Sequence, residues 1–182
     1  MLLTESGWPP ETRIILSVLS GDPAKRNFSL LLCAVQEMAR REPVALCVVG
    51  NVRWREEPAA LALYEQGRFF HVPLTLNVED YFAAADVFAL PAHYEEFGMT
   101  VLEALASGCP CVVSRRTGAR DVLTEGKDGF IFDDLASPGE LMDKIQKALA
   151  LKNAEADCRH KAEGFPWDRY AQSFAELYRE LL

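Results

Sequence analysis

The chain has 182 residues, of which 49% are hydrophobic and 25% charged, and its formal net charge is −8. This length and composition indicate one globular domain with a sizeable core. No apolar run reaches the ~20 residues that a membrane helix needs, so we expect no direct membrane insertion. The negative charge argues against nucleic acid or an anionic membrane surface as the main partner.

The five cysteines are an odd number, and most of them lie in apolar runs. We therefore predict buried free thiols and a reducing, cytoplasmic setting. The sequence from Cys109 to Cys111 is Cys-Pro-Cys, but no second pair and no histidine cluster accompanies it. This argues against a metal or redox site.

Residues 1–11 contain Gly7, Pro9 and Pro10 and show no apolar periodicity. We interpret them as a leader or as the end of a linker. The domain is then predicted to cover residues 12–182.

The first predicted unit is a strand over Arg13–Leu19, a loop, and a helix over Phe28–Arg40 with Asn27 as its N-cap. The loop contains two consecutive cations, Lys25 and Arg26, at the carboxyl edge of the strand. There they are placed to neutralise a diphosphate, and the alternative is that both are solvated charges. Neither G-x-x-x-x-G-K nor G-x-G-x-x-G occurs, so this is not a glycine-rich phosphate loop.

Strand and helix patterns alternate in the next part of the chain. The predicted elements are a strand over Val44–Val49, a helix over Pro58–Gln66, a strand over Phe69–Val72, and a helix over Val78–Ala85 with Asn77 as its N-cap.

A strand over Asp86–Leu90, a helix over Gly98–Ser107 and a strand over Pro110–Ser114 follow, with a polar loop after the first strand. In a parallel sheet this loop lies at the carboxyl edge, where open α/β sheets bind ligands. The first amides of a helix that begins near Gly98 form an anion site, for which phosphate is the expected guest.

Three glutamates mark this unit. Glu95 precedes the anion site, and Glu103 lies about one turn beyond it, roughly 7 Å along the axis at ~1.5 Å per residue. A nucleotide sugar has its ribose, diphosphate and sugar in this order, so that the diphosphate could rest on the anion site with one glutamate on each side. We expect Glu96 to be solvated, and Glu103 to share a helix face with Thr100 and Ser107. The predicted buried stripe of this helix consists of Met99, Leu102, Leu105 and Ala106.

The remaining predicted elements are a short helix over Arg120–Thr124, a strand over Phe130–Phe132, a helix from Ser137 to about Leu151, and a terminal helix over residues 167–182. Ser137 is predicted to cap its helix together with Glu140. In the terminal helix the apolar residues Phe174, Leu177 and Tyr178 need cover. Six strands with intervening helices predict a doubly wound, Rossmann-like parallel sheet with helices on both faces.

Residues 85–114, ADVFALPAHYEEFGMTVLEALASGCPCVVS, resemble the E-x7-E signature of retaining glycosyltransferases of the GT-B fold, glycosyltransferase family 4, also called glycosyl transferases group 1. The resemblance rests on Glu95 and Glu103 and on the flanking Ala-Asp, Phe-Gly, Glu-Ala-Leu-Ala-Ser-Gly and Pro-x-Val-Val runs. Weaker similarity extends from the Arg13 strand to the Trp167 segment. It implies the carboxyl-terminal, donor-binding domain of such an enzyme.

This resemblance implies roles for individual residues. Glu95 would hold the donor sugar, Glu103 the ribose, and Lys25 or Arg26 the diphosphate, so that Glu95, Lys25 and Arg26 are the catalytic candidates. In the family an Arg follows the loop glycine and a Lys lies further on. Here an aspartate follows the glycine, so the choice between the two cations stays open. The further donor-binding candidates are Gly98, Met99, Phe97, Gly21, Val72, His93 and Thr100.

The implied activity is transfer of a sugar from a nucleoside-diphosphate sugar to an acceptor with retention, without a metal or other cofactor. The acceptor domain is absent from this sequence, so we expect the chain alone to be inactive in transfer. That domain would belong to the same full-length chain or to a separate subunit. A non-catalytic nucleotide-binding or regulatory domain stays open as the alternative. A glycosidase fits less well, because no separate strand end presents a second acid.

Overall fold

The computed structural model describes residues 6–19 and 21–181. The strands of this part of the chain are β1 Arg13–Val18, β2 Val44–Val49, β3 Phe69–Val72, β4 Val87–Leu90, β5 Cys111–Ser114 and β6 Gly129–Phe132. They form one parallel sheet in the order β3-β2-β1-β4-β5-β6. The predicted doubly wound parallel sheet is therefore confirmed. The central strands are nearly continuous apolar runs because both faces of the sheet are covered.

The helices are α1 Phe28–Ala39, α2 Pro58–Glu65, α3 Val78–Ala84, α4 Met99–Ala106, α5 Pro138–Leu149, α6 Ala154–Ala162 and α7 Trp167–Leu181. Buried residues of α1, α2 and α5 form the core on one face of the sheet. Those of α3, α4 and α6 form the core on the other face. Successive side chains of a strand point to opposite faces of the sheet, and in β1 Ile15 accordingly belongs to the first core and Ile14 to the second.

A buried hydrogen bond joins the two halves of the sheet. Ser17 Oγ on β1 donates to the carbonyl oxygen of Ala89 on β4 at 2.9 Å, and the two residues are 72 positions apart in sequence. Beside it, Ile15 of β1 pairs with Val87 of β4. The strand order reverses between β1 and β4, so this junction is the topological switch point of the sheet.

Two of the three predicted N-caps are wrong. Asn27 adopts a left-handed conformation with φ 53°, and its side-chain Nδ2 donates to Leu135 O at 3.0 Å instead of the side chain capping α1. Asn77 also makes no side-chain cap at α3. Ser137 does cap α5, because its Oγ accepts from the amide of Glu140 at 3.2 Å. Local sequence favoured all three caps, but a distant partner took the Asn27 side chain.

Two elements differ from prediction in the carboxyl-terminal third. The short helix expected over Arg120–Thr124 is a 3-10 turn over Gly118–Val122. Helix α6 was not predicted, because Ala154–Ala162 has five polar residues and three alanines and buries only Cys158. No apolar periodicity therefore marks it in the sequence.

The two ends of the described chain behave differently. Trp8, in the segment expected to be a leader or linker, is buried, and its Nε1 donates to Gly67 O at 2.7 Å. Residues 1–5 of that segment and Leu182 of the terminal helix lie outside the described residues.

Helix α7 has no buried side chain in its described length, and Phe174, Leu177 and Tyr178 are exposed. Within the described ranges, no helix combines the length and apolar character needed to cross a bilayer.

The cysteines are all free, and four of the five are buried. Cys33 is the exception, since it lies on the outward face of α1 and is exposed. Burial raises the pKa of the Cys47 thiol to about 12 and that of the Cys158 thiol to about 12. The prediction of buried free thiols is thus confirmed for all but Cys33.

Candidate functional site

The loops that follow β1 and β4 meet at the carboxyl edge of the sheet. They are joined by a backbone hydrogen bond in which the amide of His93 donates to Lys25 O at 2.9 Å. Because β1 and β4 are neighbours, the two loops flank the topological switch point, where open α/β sheets bind ligands. The predicted cations Lys25 and Arg26 are therefore brought together here with Glu95 and Glu96.

The backbone around Glu95 is held by the loop that follows β5. The amide of Glu95 donates to Arg116 O at 3.1 Å, and the amide of Gly118 donates to Glu95 O at 3.0 Å. The amide of Ala119 also donates to Phe97 O, at 2.6 Å. These bonds fix the direction of the Glu95 side chain, a support that sequence reasoning missed because it lies in a different loop.

The side chains of Arg26 and Glu95 form an ion pair. Both are largely withdrawn from water, with 18% of the Arg26 side chain and 11% of the Glu95 side chain exposed. The Glu95 Oε2 atom is buried and forms no well-oriented hydrogen bond, so its polar contact is this ion pair. Burial lowers the pKa of the Arg26 guanidinium, with the nearby Glu96 carboxylate opposing that shift. Among the residues that the structure describes, Glu95 therefore has Arg26 as the one partner that compensates its charge.

A second ion pair lies beside the first. Lys25 Nζ is 3.2 Å from Glu96 Oε1, and it also stands 5.3 Å from the centre of the Tyr94 ring. The backbone amide of Glu96 and the Lys25 ammonium lower the pKa of the Glu96 carboxyl. Glu96 is exposed, as expected, but it is also paired with a cation.

The amino end of α4 lies next to the Glu95 side chain. Gly98 precedes the helix with φ +94°, a conformation that disfavours any side chain, and an added Cβ would lie 3.2 Å from Glu95 Cγ. Gly98 is the N-cap, and no side-chain cap hydrogen bond is present at this end of the helix within the described residues. The first amides and the positive end of the helix dipole are thus available to an anion.

Glu103 lies on α4, on a face that is not buried. The buried residues of α4 are Val101, Ala104 and Leu105. The predicted stripe is therefore confirmed at Leu105, and Leu102 is half-buried and packs against the core, but the prediction is wrong for Met99 and Ala106. Both of those residues are exposed, because α4 is turned relative to the predicted face. Glu103 is exposed too, and the structure gives its carboxylate no ion pair within the described residues. The surrounding protein still raises the pKa of the Glu103 carboxyl by desolvation.

The other predicted site residues lie around the same edge of the sheet. Val72 ends β3 and is buried, two strands away from β1. Gly21 follows β1 with φ +84° in an exposed loop. His93, Phe97 and Met99 are exposed, whereas Thr100 is half-buried.

A depression of about 450 Å³ lies at the opposite, amino edge of the sheet. Its lining includes Arg13 and Asp86, which form an ion pair at 2.5 Å where β1 and β4 begin. The depression contains none of the predicted site residues. It is therefore separate from the candidate site.

Comparison with known proteins agrees with the geometry. The model of the family described as glycosyl transferases group 1 matches residues 3–165. The D-inositol 3-phosphate glycosyltransferase of Thermobispora bispora is 29% identical, with 97% of this chain and 45% of that protein covered. The glycogen synthase of Thioalkalivibrio sulfidiphilus is 28% identical, with coverages of 87% and 36%. The chain spans less than half the length of these relatives.

Solved structures show the same fold. The sucrose-phosphate synthase of Thermosynechococcus elongatus superposes with a TM-score of 0.80 at 24% identity, covering 98% of this chain and 48% of that one. Anabaena HepE, solved in complex with UDP and glucose, superposes with a TM-score of 0.78 at 20% identity, covering 98% and 51%. From the extent of the family match, the chain belongs to the glycosyl transferases group 1 family.

Proposed function

We propose that this chain is the donor-binding half of a retaining glycosyltransferase of family 4, and that it binds a nucleoside-diphosphate sugar. The observation that carries the proposal is the meeting of Lys25, Arg26 and the uncapped start of α4 at the topological switch point. Two side-chain cations and a helix amino end form a diphosphate site by charge and by hydrogen bonding. Membership in the family and the likeness to HepE, whose structure contains UDP and glucose, support a nucleotide sugar as the ligand.

The remaining candidates fit around a diphosphate placed there. Glu103, further along α4, would accept hydrogen bonds from ribose hydroxyls, which would offset its desolvation. Glu95 would accept hydrogen bonds from the transferred sugar. The base would lie near Val72, at the end of β3.

In the transfer step, negative charge develops on the leaving diphosphate. Lys25, Arg26 and the first amides of α4, once bound to the diphosphate, would stabilise this charge electrostatically. Side-chain cations would supply the positive charge, without a metal or other cofactor. The acceptor would be bound by a second domain or subunit, in keeping with the partial coverage of the relatives.

Isothermal titration calorimetry tests the proposal. The purified chain is titrated with uridine, guanosine, adenosine and thymidine diphosphates and with their sugar conjugates. We expect one of these nucleotides to bind and the chain alone to transfer no sugar. Absence of binding across the whole panel would contradict the proposal, and steady transfer by the chain alone would contradict the need for a second domain.

A matched pair of variants identifies the diphosphate site. Changing Lys25→Ala together with Arg26→Ala should weaken the nucleoside diphosphate much more than the nucleoside, because charge-assisted bonds go to phosphate. The control changes Arg40→Ala together with Arg41→Ala, which removes two consecutive cations at the end of α1 that pair with Glu37. The control has the same change in net charge and should leave binding unaltered.

A further inference from the structure

The contact between the β1 and β4 loops pairs two consecutive cations with two consecutive acids. Arg26 pairs with Glu95, and Lys25 pairs with Glu96 at 3.2 Å. A backbone hydrogen bond from His93 to Lys25 O holds the two loops in this register. We call these two ion pairs the loop clasp. Its four charges sum to zero, so the cations proposed for the diphosphate are already neutralised.

We infer that Glu95 and Glu96 are internal counter-ions that hold Arg26 and Lys25 in the ligand-free chain and must be displaced by the diphosphate of an incoming donor. This inference rests on the proposed function. An incoming diphosphate competes with two carboxylates, and its observed affinity is lowered by the free energy of the pairs that it breaks.

The two ion pairs differ in how well the carboxylate is solvated after its cation has moved to the diphosphate. Glu96 is exposed, so water replaces Lys25 at little cost. The Glu95 carboxylate is mostly buried and has Arg26 as its polar contact, so removal of that partner leaves an uncompensated buried charge. Breaking this pair is therefore the more costly step.

A nucleotide sugar compensates Glu95 better than a nucleoside diphosphate does. The hydroxyls of the transferred sugar donate hydrogen bonds to the carboxylate that Arg26 has left, whereas the free nucleoside diphosphate has no sugar to do so. After transfer, Glu95 recaptures Arg26 and the released nucleoside diphosphate loses a cation. The loop clasp thus favours the donor over the spent nucleotide and promotes product release.

Three single-charge variants test the inference, with inorganic pyrophosphate as the probe. Glu96→Gln frees Lys25, and Glu95→Gln frees Arg26 while it keeps the shape of the side chain. The control is Glu37→Gln, which frees Arg40 and Arg41 at a remote site with the same change in net charge. Circular dichroism checks the fold of each variant, and Glu96→Gln changes an exposed side chain.

The dissociation constant of pyrophosphate is measured by calorimetry at ~0.15 M salt. We expect Glu96→Gln to bind about two- to fivefold more tightly than wild type, as for an exposed pair. Glu95→Gln should bind about tenfold more tightly, because its pair is less solvated. Glu37→Gln should equal wild type, and Lys25→Ala added to Glu96→Gln should remove the gain.

The outcomes separate this inference from the proposed function. Unchanged or weaker pyrophosphate binding in both Glu95→Gln and Glu96→Gln, with a nucleoside diphosphate still bound by wild type, overturns the inference alone. Tighter pyrophosphate binding, with no nucleoside diphosphate bound better than pyrophosphate, supports the loop clasp and overturns the proposed function. No pyrophosphate binding by any of the proteins overturns the inference, and the nucleotide titrations described above then decide the proposed function separately.

Discussion

The α-carbon of Gly118 lies against the backbone of Glu96, so that a Cβ added to Gly118 would overlap the Glu96 carbonyl oxygen and lie 3.0 Å from Phe97 Cα. The requirement for glycine is one of space, since the loop after β5 approaches the loop after β4 this closely in order to support Glu95. The same approach allows the Gly118 amide to donate to Glu95 O. The position of the Glu95 carboxylate therefore depends on a glycine that lies in a different loop.

Gly118→Ala should push the two loops apart. We expect a loss of about 1–3 kcal/mol in the free energy of unfolding, as for other overpacked sites. Nucleotide-sugar binding should weaken more than nucleoside-diphosphate binding, because Glu95 is displaced. Urea denaturation and calorimetry measure the two effects. Gly139→Ala is the control, since its Cβ would meet only Ser137 Oγ at 3.8 Å, and it should be neutral or stabilising.

Glu103→Ala and Glu95→Ala should differ by ligand. Loss of Glu103 should weaken the nucleoside diphosphate and the nucleotide sugar alike, by about 1.5–3 kcal/mol for a lost charged hydrogen bond. Loss of Glu95 should not weaken the nucleoside diphosphate, and it should weaken the nucleotide sugar. Calorimetric titration of each variant with both ligands makes the comparison. Equal weakening of the nucleoside diphosphate by the two substitutions would contradict the proposed order of the ligand along α4.

Asp128 should make stability depend on pH in a recognisable direction. It is buried, and desolvation raises the pKa of its carboxyl despite a hydrogen bond from the Thr124 amide at 2.7 Å. A raised folded-state pKa favours the protonated form, so its contribution to stability is present below the unfolded-state pKa and is lost as the pH rises through the folded-state value. We expect the free energy of unfolding of wild type, relative to Asp128→Asn, to fall as the pH rises above the unfolded-state pKa of about 4.

The control for this pH dependence is Asp133→Asn. The Arg115 guanidinium lowers the pKa of the Asp133 carboxyl, so its contribution is present above the unfolded-state pKa and is lost as the pH falls. Relative to Asp133→Asn, the stability of wild type should thus rise with pH, by a small amount because Asp133 is exposed. Urea midpoints across the pH range give both slopes, and slopes of the same sign would refute the assignment.

Thiol reactivity should single out Cys33. It is exposed on α1, whereas the other cysteines are buried and burial raises the pKa of each of those thiols. With a chromogenic disulfide reagent at about pH 8, we expect one rapidly reacting thiol in the native chain, because reaction requires an accessible thiolate. All five should react after denaturation. Cys33→Ser should abolish the rapid phase, and a second rapid thiol would contradict the burial described for β2 and β5.

The sheet could be predicted from sequence because its buried parallel strands are apolar runs, which local patterns reveal. Side-chain partners distant in sequence could not be predicted in the same way. Asparagine is a favoured N-cap residue, but the side-chain amide of Asn27 donates to Leu135 O, 108 residues further along the chain. Likewise Lys25 and Glu96 are 71 residues apart, and no local pattern indicates that they pair.

The face of α4 shows a second limit. Several of its residues are apolar, so more than one buried stripe satisfies the helical period, and packing against α6 and the sheet selects Val101, Ala104 and Leu105. The glutamates could be singled out because their spacing matches a signature. The roles of Gly118 and Arg116 could not, because close approach between loops leaves no periodic trace in the sequence.

The buried bond between Ser17 and Ala89 has a consequence for synthesis on the ribosome. The strand β4, which covers one edge of β1, is made 72 residues after β1. At about 5–20 residues per second, this delay lasts roughly 4–14 s. During that interval β1 and β2 expose an apolar, unpaired strand edge, a template for pairing with other nascent chains. The risk of aggregation at this edge is therefore concentrated in a time window that closes when β4 emerges, and a chaperone that binds the β1 edge would be needed only during that window.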